Sequence, residues 1–84
     1  MNGFEIAVQA LSNLIISINL TDDEEMDPDV ATSLLEPVSA ILDGMDKEGM
    51  TKFADLVVRY AETEPNDIRK QALLDLPEIL GFLD

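Results

Sequence analysis

The sequence predicts an all-α protein, a compact four-helix arrangement with short loops. Apolar residues recur at intervals of three and four along most of the 84-residue chain, which is the period of helices buried on one side. Polar stretches containing Pro, Gly or Asp separate four such segments. Because the connections are of about two to eight residues, neighbouring helices are expected to be antiparallel within a single acidic helical domain, residues 1–84.

The first helix is predicted at about residues 3 to 20. A strand at 14 to 20 is the alternative, because β-branched residues are frequent in that part of the segment. The predicted inward stripe follows the helical period and consists of Phe4, Ala7, Leu11, Leu14, Ile15 and Ile18.

The second helix is predicted at 28 to 44. Asp27 can cap its first turn, and Pro28 suits the first helical position because its missing N–H would have no partner there. Gly44 is the predicted terminator, and Pro37 is expected to kink the helix rather than split it. Its predicted inward stripe is Val30, Leu34, Leu35, Val38, Ile41, Leu42 and Met45.

The third and fourth helices are predicted at 47 to 62, after an Asp46 cap, and at 65 to 81, with a kink at Pro77. Phe82 and Leu83 either cap the bundle or lie exposed, and the sequence leaves both alternatives open. The predicted core is Leu11, Leu14, Ile15, Ile18, Leu34, Leu35, Val38, Leu42, Phe53, Val57, Leu73, Leu76 and Leu80.

Charge is the most unusual feature of the composition. The net charge is −13, and residues 1 to 46 hold ten acids and no base, whereas all five bases lie from Lys47 onward. Phosphates and anionic bilayers are bound through Lys and Arg, so direct binding to nucleic acid or to a membrane is not expected. The expected partner is a protein with a basic surface.

Location is predicted from what the sequence lacks. Cysteine is absent, which makes the cytosol the simplest compartment. The N-terminal apolar segment has no basic region before it and is interrupted by polar residues, so neither a signal peptide nor a membrane span is expected. The predicted location is the cytoplasm, or the host-cell cytoplasm if the protein is phage-encoded.

The large apolar fraction, 46%, makes a homodimer an open alternative, because an apolar surface that a short chain leaves exposed can be covered by a second copy.

Catalysis and cofactor binding are not expected. The chain has no His and no Cys, which removes the commonest general base and most transition-metal ligands. A calcium-binding EF-hand loop fits nowhere, since its nearest register, residues 44 to 55, has Gly44 where the first ligand should be. We therefore expect no enzyme activity, no cofactor and no metal site.

The acidic segment, residues 22–29 in "INLTDDEEMDPDV", is the candidate partner-binding site. A capping box of Thr21 with Glu24 would explain two or three of its acids, and a solvated loop is the alternative to a binding surface. Six acids without a counter-charge exceed the needs of a cap, and Glu36 and Asp43 could extend the surface. Its six acids are Asp22, Asp23, Glu24, Glu25, Asp27 and Asp29.

In size, acidity and lack of catalytic groups, the chain resembles phage anti-defence inhibitors and toxin immunity proteins. No family motif is present in its residues. The resemblance implies a non-catalytic inhibitor that covers a basic, nucleic-acid-binding or catalytic surface, in one form as a nucleic-acid mimic. The alternative is a helical scaffold or assembly chaperone that acts through an apolar dimer or partner face.

Overall fold

Four helices form the part of the chain that the computed structural model describes, residues 2–82. They are α1 (Gly3–Asn19), α2 (Pro28–Leu42), α3 (Lys47–Thr63) and α4 (Asp67–Ile79). Residues 2–82 contain no strand, so the strand alternative at 14 to 20 is wrong. The predicted all-α, four-helix arrangement is confirmed.

Each helix begins after a residue whose side-chain oxygen accepts a backbone N–H of the first turn. The predicted caps at Asp27 and Asp46 are confirmed, and Pro28 occupies the first turn of α2. The fourth helix starts two residues later than predicted, because Asn66 accepts the Arg69 N–H and serves as its cap.

Each helix ends one or two residues from its predicted end: Asn19 against 20, Leu42 against 44, Thr63 against 62 and Ile79 against 81. α2 ends at Leu42, and the next residue, Asp43, keeps a right-handed conformation, so Gly44 does not supply a left-handed stop. α2 and α4 run continuously through Pro37 and Pro77, which excludes a split second helix. The kinks expected at these prolines stay predictions.

The core lies between α1, α3 and α4. α3 packs most extensively against α4, and α1 covers both. Phe53 and Val57 from α3 are fully buried beside Leu76 from α4. Among residues 2–82, the buried apolar residues are Val8, Ile15, Ile16, Phe53, Ala54, Leu56, Val57, Ala61, Leu73, Leu76, Pro77 and Phe82.

The buried side of α1 overlaps the predicted stripe only in part, at Ile15, which is buried, and at Leu11, which is partly buried. Leu14 is 57% exposed, whereas Ile16 is 1% exposed and Val8 and Ser12 are also buried. α1 is apolar around most of its circumference, so the period allows more than one inward face. The small Ser12 lies on the face that packs inward, where its hydroxyl has no hydrogen-bond partner among residues 2–82.

α2 lies at the edge of the bundle. None of the residues Pro28–Leu42 is buried, and among the helices of residues 2–82 only α1 comes close to its backbone. Leu35, Val38 and Leu42 are partly buried against the core, whereas Leu34 is 49% exposed. The prediction of Leu34 as a core residue is therefore wrong. α2 has two neighbouring apolar rows, and it packs through the row that contains Leu35, Val38 and Leu42.

Two polar side chains tie the helices together. The Tyr60 hydroxyl on α3 donates a 2.6 Å hydrogen bond to the Glu5 carbonyl oxygen on α1. Arg69 on α4 donates to Asn13 Oδ1 and Ser17 Oγ on α1 and pairs with Glu64. These bonds fix how α1 lies across α3 and α4.

Candidate partner-binding surface

The acidic segment forms most of the connection between α1 and α2. A tight turn folds its first half, in which Asp22 O accepts backbone N–H bonds from Glu25 and Met26 at 2.9 Å. All six of its carboxylate residues are exposed, and Met26 is the one partly buried residue among residues 22–29. The turn thus holds the acids on the outside of the protein.

Two of the six acids accept hydrogen bonds from the local backbone. The Asp22 carboxylate accepts the Glu24 N–H at 3.2 Å, and the Asp27 carboxylate accepts the Asp29 N–H at 2.8 Å. The predicted capping box is wrong, because Thr21 Oγ1 instead donates to the Ser17 carbonyl oxygen at the end of α1. Thr21 therefore continues the α1 end and does not start a new helical turn.

Of the other four acids, Asp29 lies in the first turn of α2, where a negative charge favours the helix dipole, whereas Asp23, Glu24 and Glu25 have no such role. Among residues 2–82, no hydrogen bond to the side chains of Asp23, Glu24, Glu25 or Asp29 is present. The ion pairs Lys52–Glu48 and Arg69–Glu64 lie in the second half of the chain. Negative charge in the acidic segment is thus held by exposed side chains beside water.

A row of carboxylates continues from the acidic segment along α2. Asp29, Glu36 and Asp43 are exposed and stand seven residues apart. Seven residues turn an α-helix to within about 20° of two full turns and advance it by about 10 Å, so the three lie on one line. We call Asp29, Glu36 and Asp43 the acid row. Asp29 belongs to both the acidic segment and the acid row, so the structure places Glu36 and Asp43 in line with the acidic segment.

An exposed apolar line runs along α2, and the prediction that its members Val30, Leu34 and Ile41 face inward is wrong. We call this line the apolar stripe, and its members Val30, Leu34, Pro37 and Ile41 follow intervals of four, three and four. Val30 is 50% exposed and Ile41 is 77% exposed. The sequence of α2 contains two adjacent apolar rows, and a helix at the edge of a bundle packs through only one of them. This pattern is the signal that could have predicted an exposed apolar stripe.

Two larger concave surfaces lie away from α2. A shallow cleft of about 610 Å³ between the start of α1 and α3 mixes acids such as Asp55 with Lys52 and Arg59. A groove of about 700 Å³ between α1 and α4 is lined by apolar side chains, among them Leu20, Ile68 and Ile79, and by polar ones. Within residues 2–82, no three carboxylates converge as a metal site would require.

None of the helices in residues 2–82 has both the length and the apolar run needed to cross a bilayer. Comparison with protein-family models, curated proteins and solved structures finds no match to this chain. The geometry of the acidic segment, the acid row and the apolar stripe is therefore the basis for a functional proposal.

Proposed function

We propose that this protein is a non-catalytic inhibitor that binds a basic surface of another protein and covers it. The observation that carries the proposal is the set of exposed acids in the acidic segment that local structure does not explain, above all Asp23, Glu24 and Glu25. Like charges held together on a small protein oppose folding, so their retention is best explained by a partner that supplies Lys or Arg.

Binding would begin with electrostatic steering. A net charge of −13, concentrated in the first half of the chain, attracts a basic surface over roughly a Debye length, about 10 Å at 0.1 M salt. Charges at the rim of the interface then set the association rate, and pairs that lose water hold the complex together. An inhibitor of this kind needs no cofactor and no reactive group.

The spacing of the acid row bears on the kind of basic surface. Its carboxylates repeat at about 10 Å, whereas phosphates of one DNA strand advance by about 3.4 Å per step along the axis. A row this sparse does not reproduce successive phosphates. It favours a protein-specific match, as in immunity proteins, over general mimicry of nucleic acid.

The proposal is tested by capture from the native host's lysate. Immobilised parent protein and a variant with Asp22→Asn, Asp23→Asn, Glu24→Gln and Glu25→Gln are compared at about 0.05 M and about 0.5 M salt. A partner retained by the parent at low salt, reduced at high salt and reduced on the variant supports the proposal. A partner retained equally by both proteins at both salt concentrations contradicts it.

A second candidate is the scaffold or assembly chaperone that shields an apolar partner surface. The exposed apolar stripe favours it, because exposed apolar rows on small proteins commonly mark interaction sites. The same lysate capture separates the two candidates, since an apolar interface loses little affinity as salt is added.

A further inference from the structure

The solvent-facing half of α2 carries two different lines of side chains side by side. The apolar stripe runs along one side and the acid row along the other. At 100° per residue, the strip between them faces directly away from the core, and Ser33 and Ala40 occupy it. The outer face of α2 is therefore apolar on one edge and acidic on the other, with only small side chains between the two edges.

From this arrangement we infer that the outer face of α2 is a docking surface for a basic amphipathic helix of a partner protein. Apolar side chains of that helix lie on the apolar stripe, and its Lys and Arg residues lie along the acid row. The inference rests on the proposed function, to which it adds the secondary structure and the side-chain pattern of the partner.

The stripe has the dimensions of a helix-binding site. From Val30 to Ile41 it spans twelve residues, about 16 Å, which is three turns of an α-helix. Its spacing of three and four matches the repeat of a partner helix. Between the apolar stripe and the acid row, the side chains of Ser33 and Ala40 are small. They leave room for a partner helix to pack with its axis about 8 to 10 Å from the axis of α2.

Charge selects a foreign helix over a second copy of this chain. Residues 28 to 43 contain the three acids of the acid row and no base, and residues 1 to 46 as a whole contain no base. A dimer through this face would leave the acid rows of both copies without a counter-charge, and each copy carries a net charge of −13. A helix bearing Lys and Arg supplies that counter-charge.

The attachment of α2 also suits a docking role. With no buried residue and with α1 as its close neighbour, α2 gains less from the core than the other helices of residues 2–82. An isolated helix of about 15 residues is marginal in water, so much of its stability must come from packing. A bound helix would add packing on the side that the core leaves open.

The inference is tested with a synthetic probe, a fluorescent peptide of about 18 residues that carries Leu along one face and Lys and Arg along the neighbouring face. A shuffled peptide of identical composition has the same charge but no apolar face. Affinities of both are measured for the parent, for the Leu34→Gln/Ile41→Gln variant and for the Ile68→Gln/Ile79→Gln control. The control removes two similarly exposed side chains from α4, and Gln keeps helix propensity in both variants.

We expect the parent and the control to bind the amphipathic peptide at least tenfold more tightly than the shuffled peptide, and the stripe variant to lose that preference. Circular dichroism should show unchanged helicity in both variants, since all four positions are exposed. Binding of the shuffled peptide alone reports the electrostatic attraction of the proposed function.

Four results would overturn the inference. Equal affinity for the two peptides, or a preference that survives in the stripe variant, overturns it and leaves the proposed function standing. If the parent binds neither peptide at low salt, the inference and the proposed function are both overturned. A parent that sediments as a dimer, and a stripe variant that sediments as a monomer, assigns the face to a second copy of the chain.

Discussion

The ring of Phe82 meets the ring of Phe53 edge to face, with centroids 5.2 Å apart and planes at 84°. The end of α4 makes this contact possible. Gly81 has a φ of 77°, the Phe82 N–H donates to the Pro77 carbonyl oxygen, and the Gly81 N–H donates to that of Glu78. This Schellman motif turns the chain back, so Phe82 caps the core. Leu83 lies outside the described residues.

Replacing Gly81 should show how much this turn contributes. Gly81→Ala places a Cβ at a left-handed position, which should lower the free energy of unfolding by about 1 to 2 kcal/mol. Gly81→Asn should cost less, because Asn tolerates that conformation better. Urea unfolding of the three proteins measures both values, and an Ala variant as stable as the parent would argue against the turn.

Tyr60→Phe should remove the hydrogen bond to the Glu5 carbonyl and keep the packing of the ring. We expect a loss of about 0.5 to 1.5 kcal/mol in the free energy of unfolding at neutral pH. The measurement is urea unfolding of both proteins, and equal midpoints would show that the bond contributes nothing.

The same tyrosine should make stability depend on alkaline pH. Partial burial raises the pKa of the Tyr60 hydroxyl, the Glu5 charge adds to the increase and Arg59 opposes it. The native state then keeps the proton where the unfolded chain loses it, so this contribution is present below about pH 10 and is lost as pH rises further. The stability difference between parent and Tyr60→Phe should therefore shrink from pH 8 to above about pH 10. A constant or growing difference would contradict the assignment.

The buried face of α1 is tested by a pair of truncations. Ile16→Ala removes a buried side chain and should cost about 2 to 5 kcal/mol, most of the stability of a protein this small. Leu14→Ala, at a position 57% exposed, should change the free energy of unfolding by no more than about 0.5 kcal/mol. Thermal melting that ranks the two variants the other way would show that α1 packs through Leu14.

Helix positions could be predicted from the sequence because caps and period are local properties. Asp27 and Asp46 begin helices through bonds to residues two or three positions away. The buried face of α1 could be predicted only in part, at Ile15, since that face is chosen by contact with α3 and α4, and Ser12 on it weakens the apolar pattern. The exposure of the apolar stripe was missed for a related reason, because the period shows that α2 is apolar but not which row the bundle covers.

Exposure of the predicted acids followed from their chemistry, since unpaired carboxylates remain beside water. The line formed by Asp29, Glu36 and Asp43 could also be derived from spacing, once α2 is known to be continuous through Pro37. The position of the acid row beside the apolar stripe needed the structure, because it depends on which side of α2 faces the core.

Added salt should stabilise this protein at neutral pH. Eighteen acids against five bases repel one another more in the folded protein than in the expanded chain, and salt screens that repulsion. The melting temperature should rise between about 0.02 M and about 0.2 M sodium chloride. It should rise less in the variant that carries amides at residues 22 to 25, and a fall in the parent would show that net attraction prevails.

The most direct measurement is the affinity of the captured partner for three proteins over a range of salt concentrations. These are the parent, the variant with amides at residues 22 to 25, and a control with Asp55→Asn, Glu62→Gln, Asp75→Asn and Glu78→Gln. The two variants lose the same four charges, the first from the acidic segment and the second from exposed positions on α3 and α4. Losses of about 2 to 5 kcal/mol are typical for each broken pair that has lost its water. We therefore expect the first variant to bind at least tenfold more weakly and with a flatter salt dependence, and the control to stay close to the parent. Equal affinity of the first variant and the parent at low salt would contradict a partner-binding role for the acidic segment.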